Sequence, residues 1–319
     1  MIKIHGNLSA NDDYTHELGP EENFNESVYF NFFDKEKSQG GFVRIGNRAN
    51  EGYAEMTVIV WNPDGSAWFN YAKPAIFHND GWDAGGLKID IIKPAETVRT
   101  SYKGSALFMQ DPRAMSDPGK AFKENPKHEL SIALTHEAVG PFYGHVGEAG
   151  DGNEFARSHT EQHMRVSGTL QFGNETPVSF DGHGLRDHSW GPRYWQATPS
   201  YRWVTCNFGD DLGLILRTNG DGEGGGLFQE GQELVRITKT ALTTEYEPGT
   251  NYHQSLRAEL ELEDGRTRSL EGRVMSFIPL RNRRSGASTH VGEGMTEYTL
   301  DGERKGYGLS EYLDQPAEE

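Results

Sequence analysis

Short runs of alternating apolar and polar residues, separated by turn residues, extend along most of the chain. Residues 86–94, GLKIDIIKP, alternate with a period of two, which is the spacing of a half-buried β-strand. The strand-like run EMTVIVW at 55–61 meets Asn-Pro-Asp-Gly, and LRAELELE at 256–263 meets Asp-Gly. Both are hairpin signals, because Gly accepts a positive φ and Pro presets φ. The pattern predicts antiparallel strands joined by tight turns.

The same pattern of strand-like runs separated by turn residues occurs on both sides of the segment 176–201, which favours two β-domains. No helix of ten residues is predicted, and residues 110–127, with three prolines, are expected to form a loop with at most one helical turn. A prior of ~150 residues per domain also divides the chain of 319 residues into two. We therefore predict an all-β protein with domains at residues 1–175 and 176–319, each a sandwich or barrel; one extended barrel is the alternative.

The balance of charge narrows the classes of partner. The chain has 31 basic and 48 acidic residues, a net charge of −17 that is spread along its length. Nucleic acids and anionic membranes need a surface rich in Lys and Arg, so neither is expected as a partner. No run approaches the ~18 apolar residues of a membrane span. The first residues lack the apolar core of a signal peptide, so we expect no integral membrane segment. The oligomeric state stays open.

The one cysteine, Cys206, lies in the strand-like run WVTCNF. A single cysteine excludes an intrachain disulfide and fits a reducing cytoplasm, which is the location we expect. The run has no basic residue, so Cys206 is expected to be a buried structural thiol rather than a nucleophile.

Residues 181–193, DGHGLRDHSWGPR, concentrate groups that can move protons or hold charge. Burial raises the pKa of a carboxyl group, so a sheltered Asp187 could protonate an alkene or a tertiary alcohol. His188 is expected to position that acid or relay its proton. Adjacent residues of a regular strand face opposite ways, so this pairing needs a backbone bend, for which the three glycines of the stretch leave room. The alternative is a structural network in which Arg186 and Arg193 pair with carboxylates.

The predicted strand 159–172 has two different faces. One face carries His159, Glu161, His163 and Arg165, and the other carries Gln162, Met164, Val166, Leu170 and Phe172. Two imidazoles and a carboxylate can bind zinc or iron, but a solvated face or a polar wall of the substrate pocket explains the trio as well, and we predict no metal site. Whichever of Glu161 and Gln162 points inward is a candidate for positioning water.

Aromatic residues cluster just after the charged stretch. Trp190, Trp195 and Trp203 lie close together, with Tyr194 and Tyr201 between them. Core packing is the default explanation of any one of these rings. Beside an acid they could also stabilise a carbocation through cation–π attraction, or line an apolar pocket. We expect Trp190, Trp195, Trp203 and Tyr201 to contact the substrate. Gln162, His183 and Arg193 are expected to contact it as well.

Motifs for other chemistries are missing from the sequence. It contains no G-x-S-x-G elbow, no phosphate-binding Walker loop and no G-x-G-x-x-G after a strand. We therefore predict that the protein uses no cofactor.

Residues 184–193, GLRDHSWGPR, match the signature G-x-x-D-H-[SN]-W-G-x-R. With EQHMRVSGTL at 161–170 and GYGLSEY at 306–312, the chain resembles the lipocalin-like AttH and carotenoid 1,2-hydratase (hydroxyneurosporene synthase) superfamily. The resemblance implies two calycin-type antiparallel β-barrels packed together, the second beginning with the motif, and a pocket at or near their junction. It matches the suspected proton donor of the hydratases to Asp187. His188, Trp190 and Arg193 match the other motif positions, and Ser189 stands where the carotenoid enzymes usually carry Asn.

The residues and the resemblance together favour a hydratase/dehydratase or an isomerase/cyclase. We expect it to protonate a hydrophobic, isoprenoid- or terpenoid-like small molecule, with Asp187 as acid, His188 as its partner and Glu161 as a water-positioning group. Two alternatives stay open. One is a non-catalytic lipocalin-type carrier of an apolar ligand. The other is a pericyclase of the Diels–Alder type, which needs shape and a hydrogen-bond donor more than a strong acid.

Overall fold

The computed structural model describes residues 2–148, 150, 155–284 and 286–315, and of Arg284 the backbone alone. Contacts divide the chain into two compact units. The first comprises Met1–Pro63, Ala67–Met109 and Asn125–Ala197, and the second comprises Asp64–Ser66, Gln110–Glu124 and Thr198–Glu319. Strands dominate both units, so the predicted all-β class is confirmed.

The first unit is a large sheet that closes on itself. Antiparallel pairing runs β11–β12–β2–β3–β4–β5–β8–β9 and returns from β9 to β11, a ring of eight strands. Two pairs of short strands extend it, β10 and β1 beyond β11, and β7 and β6 beyond β8. Its strands are β1 Ile4–His5, β2 Phe24–Asp34, β3 Gln39–Arg48, β4 Tyr53–Trp61, β5 Ala67–Ala72, β6 Trp82–Ala84, β7 Leu87–Lys93, β8 Thr97–Met109, β9 Lys127–Ala138, β10 Phe142–His145, β11 Ser158–Phe172 and β12 Val178–Pro192.

Even-numbered residues of β2, β11 and β12 face the interior of this ring. Val28, Phe30 and Phe32 of β2 belong to the apolar core, as do Met164 and Val166 of β11. Because side chains alternate along a strand, the odd-numbered residues between them face outward. The two faces predicted for the strand 159–172 are therefore confirmed.

The second unit is a closed barrel of eight antiparallel strands in chain order, completed by pairing of the last strand with the first. The described part of the chain has one α-helix, α1 (Pro118–Glu124), and it belongs to this unit. Cys206 lies in the barrel core, and burial raises the pKa of its thiol, as expected of a structural cysteine. The strands are β13 Ser200–Asn207, β14 Leu212–Thr218, β15 Glu223–Glu230, β16 Glu233–Tyr246, β17 His253–Leu262, β18 Thr267–Arg284, β19 Ala287–Leu300 and β20 Arg304–Asp314.

Short 3-10 turns complete the secondary structure of the described residues: Ala10–Asp13, Ala49–Glu51, Pro112–Ser116 and Trp195–Ala197. The loop predicted at 110–127 thus carries one 3-10 turn and α1. None of the helices described is long and apolar enough to cross a membrane.

The motif strand lies in a different unit from the one expected. β12 pairs with β11 along one edge and with β2 along the other, and all three strands belong to the first unit. The boundary expected at 175/176 therefore falls inside the first unit as the contacts define it. Nothing in the local sequence of β12 reveals these distant partners.

Candidate active site

The motif forms a regular strand, so the expected bend between Asp187 and His188 is wrong. β12 pairs with β11 without interruption from Val178 to Trp190. The two side chains therefore point to opposite faces of the sheet. The motif glycines serve close approach instead, since a Cβ at Gly184 would lie 1.9 Å from the carbonyl oxygen of Asn31 on the neighbouring strand.

Three polar side chains form a row across the outward face of the first unit. Tyr143 of β10 is the register partner of Glu161 of β11, and Glu161 is the partner of Asp187 of β12. Directly opposed residues bring their Cβ atoms to about 5 Å. The two carboxyl groups are therefore neighbours, although 26 positions separate them in the sequence.

His159 joins this row diagonally, hydrogen-bonds to Asp187 and lies close to Glu161. Its Nε2 hydrogen-bonds to Oδ2 of Asp187, and its Nδ1 lies 3.9 Å from Oε2 of Glu161. The hydroxyl of Tyr143 donates to the same Glu161 oxygen over 3.3 Å. The side chain of Asp187 is 18% exposed and that of Glu161 is 4% exposed. Asp187 is thus the carboxyl group of the row that is more open to an incoming molecule.

This arrangement can hold and pass a proton. Two carboxyl groups lie side by side with one imidazole between them, and a hydrogen bond already joins that imidazole to Asp187. The imidazole between them can carry that proton at one nitrogen and return it at the other. The partner of Asp187 is therefore His159, and the expectation that His188 fills this place is wrong.

His188 faces the interior, where it contacts a different carboxylate. Its Nε2 lies 2.8 Å from Oε1 of Glu26, and Nδ1 of His16 lies 2.7 Å from the same oxygen. Asn79 donates to Oε2 of Glu26. Burial alone would raise the pKa of Glu26, but the hydrogen bonds from His16 and His188 lower it to about 2. This cluster fastens the segment that carries His16 to the ring of strands.

Trp190 belongs to the same interior cluster. Its ring stacks on His16 with 3.8 Å between centroids, and Trp82 lies perpendicular to His188 at 5.1 Å. Because β12 is regular, Trp190 lies on the face opposite Asp187, and its predicted place in a wall around that acid is wrong. Core packing explains its ring.

Gln162 and Arg186 also face inward and tie loops to the ring. Gln162 Nε2 donates to the carbonyl oxygens of Ala95 and Gly140 over 3.1 and 2.9 Å. Arg186 Nη1 donates to Oδ1 of Asp13 over 2.6 Å, which is a buried ion pair. Of the two candidates for positioning water, Glu161 shares the face of Asp187 and Gln162 does not.

Among the other predicted contacts, His183 lies on the outward face of β12, two positions of that face away from Asp187, and is half-buried. Arg193 donates to Oγ of Ser189 over 2.6 Å and lies above the rings of Phe155 and Trp195, 4.5 and 5.6 Å from their centroids.

Trp203 and Tyr201 lie on β13 of the second unit. Trp203 is buried there, and the Tyr201 hydroxyl donates to Glu311.

Two groups among the described residues have the ligand types and spacing for a metal ion: His159, Glu161 and Asp187 on the outward face, and His16, Glu26 and His188 in the interior. In each group the ligand atoms lie within 4.8 Å of one another. In each group a carboxyl group already hydrogen-bonds to imidazole, Asp187 to His159 and Glu26 to His16 and His188.

Sequence reasoning missed Glu26, Asp13 and His16, because residues 1–23 look like a plain polar arm and β2 looks like an apolar strand. The sequence indicated His159 as a possible metal ligand, but it did not indicate that His159 lies next to Asp187. The alternation of β11 places His159 and Glu161 on one face, but the register that brings Asp187 to them is a tertiary property.

A ring of eight antiparallel strands in one unit and a closed eight-stranded barrel in the other define an all-β protein of the lipocalin-like type. The chain belongs to the family described as Domain of unknown function (DUF7064), whose model matches residues 9–316. No curated protein matches the sequence.

Solved structures share the fold over nearly the whole chain. A protein named as an AttH of Nitrosomonas europaea is 14% identical with a TM-score of 0.58, covering 92% of this chain and 93% of its own. CghA in complex with Sch210972 is 13% identical with a TM-score of 0.53, covering 94% and 93%. Kievitone hydratase of Nectria haematococca is 11% identical with a TM-score of 0.55, covering 95% and 94%. At these identities the likeness shows the fold alone, and it confirms the predicted lipocalin-like fold of the AttH type.

Proposed function

We propose that the protein is an enzyme that protonates a hydrophobic small molecule, as a hydratase/dehydratase or an isomerase/cyclase, with Asp187 as the acid. The observation that carries the proposal is the placement of His159 between Asp187 and Glu161 on the outward face of β11 and β12. The fold shared with kievitone hydratase supports it as an analogy between folds.

The reaction begins with transfer of a proton from an Asp187 oxygen to an alkene carbon or to the oxygen of a tertiary alcohol. After protonation of an alkene, water adds to the resulting cation and gives up a proton, which restores the carboxyl group. After protonation of an alcohol, water leaves, and a neighbouring carbon of the resulting cation loses a proton to the carboxylate. No electron leaves the substrate, so the chemistry is redox-neutral. General acid catalysis of this kind contributes about 10²- to 10⁴-fold to a rate.

His159 and Glu161 have supporting roles in this scheme. The imidazole holds Asp187 in one orientation and returns the proton to it after each turnover. Glu161, kept in place by the Tyr143 hydroxyl, stabilises the protonated imidazole and can accept a hydrogen bond from the attacking water. Contacts of the substrate with His183, Arg193, Trp195, Trp203 and Tyr201 remain predictions, as does an isoprenoid- or terpenoid-like substrate.

The test begins by identifying the substrate, by native mass spectrometry of protein purified from its source with ligand bound. The Asp187→Asn variant should then lose turnover by about a thousandfold while it keeps ligand affinity and fold, because the amide cannot donate the same proton. Asp181→Asn is the matched control, since Asp181 lies on the same strand, is exposed and pairs with Arg165 over 3.0 Å.

Each result separates the candidate functions. Undiminished turnover in the Asp187→Asn variant removes the acid mechanism, and a cyclisation that survives the change indicates a pericyclase. A ligand that is bound tightly and always recovered unchanged indicates the carrier.

A further inference from the structure

A cavity of about 100 Å³ lies at one end of the second barrel, next to the 3-10 turn Pro112–Ser116. Its walls are mainly apolar and aromatic and include Tyr252, Phe277, Pro279 and Tyr312. Two polar side chains, Arg281 and His290, also line it. All of these residues belong to the second unit, and none belongs to the cluster around Asp187.

The aromatic walls are held rigidly by their neighbours. Phe277 packs against Tyr252 with 4.8 Å between ring centroids. Tyr312 stacks on His253 at 3.9 Å and an interplanar angle of 17°. A Cβ at position 292 would lie 2.8 Å from Cζ of Phe277, so glycine at this position lets the Phe277 ring lie across β19. The walls therefore keep their shape when the cavity is empty, which lowers the entropic cost of binding a flat ring.

The rim of the cavity is positive in an otherwise acidic protein. Arg281 lines it and Arg283 lies near His290, in a chain of net charge −17. Arg281 is the register partner of His290, so their side chains lie side by side. Burial, with Arg281 and Arg283 nearby, lowers the pKa of His290, while Asp314 acts in the opposite direction.

Arg281 is held in place and has a donor to spare. One of its terminal nitrogens donates to the carbonyl oxygen of Ser116. Its buried Nε finds no hydrogen-bond partner among the described residues. A buried N–H without a partner is costly, and a charge-assisted hydrogen bond that it donates to a carboxylate would satisfy it.

We propose that this cavity binds a small aromatic carboxylate, with its ring against Phe277 and Tyr312 and its carboxylate at Arg281 and His290. The size limits the enclosed part of the ligand to at most one ring, because a dry cavity of about 150 Å³ takes benzene and this cavity is smaller. Pockets of this kind combine apolar walls with a few polar groups that fix the orientation of the ligand. The site is independent of the reaction proposed for Asp187.

The test measures the affinity of the intact protein for benzoate and for benzamide, which has the same ring without the charge, by protein-observed NMR titration. Benzoate should bind at least about tenfold more tightly than benzamide, because only benzoate gains the charge-assisted hydrogen bonds. The signal of the Gly292 amide should shift with either ligand. In Arg281→Met, benzoate affinity should fall about tenfold or more, to the level of benzamide, while benzamide affinity stays unchanged.

Arg273→Met is the matched control, because Arg273 lies on the same strand, is exposed and pairs with Glu297. It should bind benzoate as the unchanged protein does. If Arg281→Met fails to fold because the bond to Ser116 is lost, His290→Gln leaves that bond intact and should weaken benzoate severalfold. Equal affinities for benzoate and benzamide, benzoate affinity that survives the changes at Arg281 and His290, or no shift at Gly292 would each overturn the proposal.

Discussion

At the scale of single residues, the partners of a carboxyl group decide its role. Asp187 and Glu26 both contact imidazoles, yet Asp187 is partly open on the outward face and Glu26 is fully buried in the interior. The open group suits proton transfer to a ligand, and the buried one is a permanent anion held by donors. The sequence alone shows two adjacent motif residues, Asp187 and His188, and cannot show that they serve these two different clusters.

Glu26 should be one of the strongest single contributors to stability. Its pKa is lowered from 4.5 to about 2, so its contribution is complete above pH 4.5 and is lost as the pH falls towards 2. A shift of this size corresponds to about 3 kcal/mol at neutral pH. We expect Glu26→Gln to lower the free energy of unfolding in urea by about that amount at pH 7.

The control for this measurement is Glu36→Gln, because Glu36 is 80% exposed and its carboxylate lies 3.8 Å from the Lys35 ammonium. It should change the stability by less than about 0.5 kcal/mol. A Glu26→Gln variant as stable as this control at pH 7 would contradict the assignment of Glu26 as a paired anion.

At the scale of elements, alternation within one strand could be predicted and pairing between strands could not. The two faces of 159–172 follow from a period of two, and the core positions of Met164 and Val166 confirm them. The neighbours of β12 are β11, which precedes it, and β2, which lies some 150 residues earlier. Register between such distant segments depends on the whole sheet, so the row Tyr143–Glu161–Asp187 could not be read from the sequence.

The motif glycines give a prediction at this scale. Gly184→Ala should destabilise the first unit by about 1–3 kcal/mol, because the new methyl group would meet the backbone of Asn31 and the strands would have to separate. Gly81→Ala is the control, since a Cβ there has no described atom within 4 Å. Thermal unfolding of both variants checks the difference, and equal melting temperatures would show that β12 and β2 do not approach so closely.

At the scale of the whole molecule, the all-β class and the presence of two units followed from composition, turn signals and length. The boundary between the units could not be predicted in this way. A strand belongs to the unit in which it pairs, and β12 pairs with β2, which comes much earlier in the chain. The candidate acid was found from its chemistry, whereas its true partner was found only from the fold.

Both units carry a buried neutral histidine, which predicts sensitivity to acid. Burial lowers the pKa of His136 in the first unit and of His253 in the second to about 3. Below pH 6.5 the unfolded chain binds a proton at each position and the folded protein does not, so stability falls as the pH drops from 6.5 towards 3. Each histidine should contribute about 1.4 kcal/mol per pH unit to this slope.

Urea unfolding between pH 6.5 and 4.5 checks this prediction. His253→Gln should reduce the slope of stability against pH by about one proton, whatever its effect at pH 7. His78→Gln is the control for replacing a histidine at the surface, because His78 is 72% exposed. An unaltered slope in His253→Gln would mean that this imidazole is already protonated in the folded barrel.

Residues 110–124 come from the first half of the chain, yet they belong to the second unit, where Arg113 pairs with Glu247 and Ser116 accepts a hydrogen bond from Arg281. No single division of the chain can therefore yield two fragments that each contain one complete unit. A fragment that starts at residue 198 would leave one end of its barrel uncovered, with the Arg281 guanidinium deprived of its fixed acceptor. Splitting or swapping these halves would require carrying the stretches 64–66 and 110–124 along with the C-terminal piece.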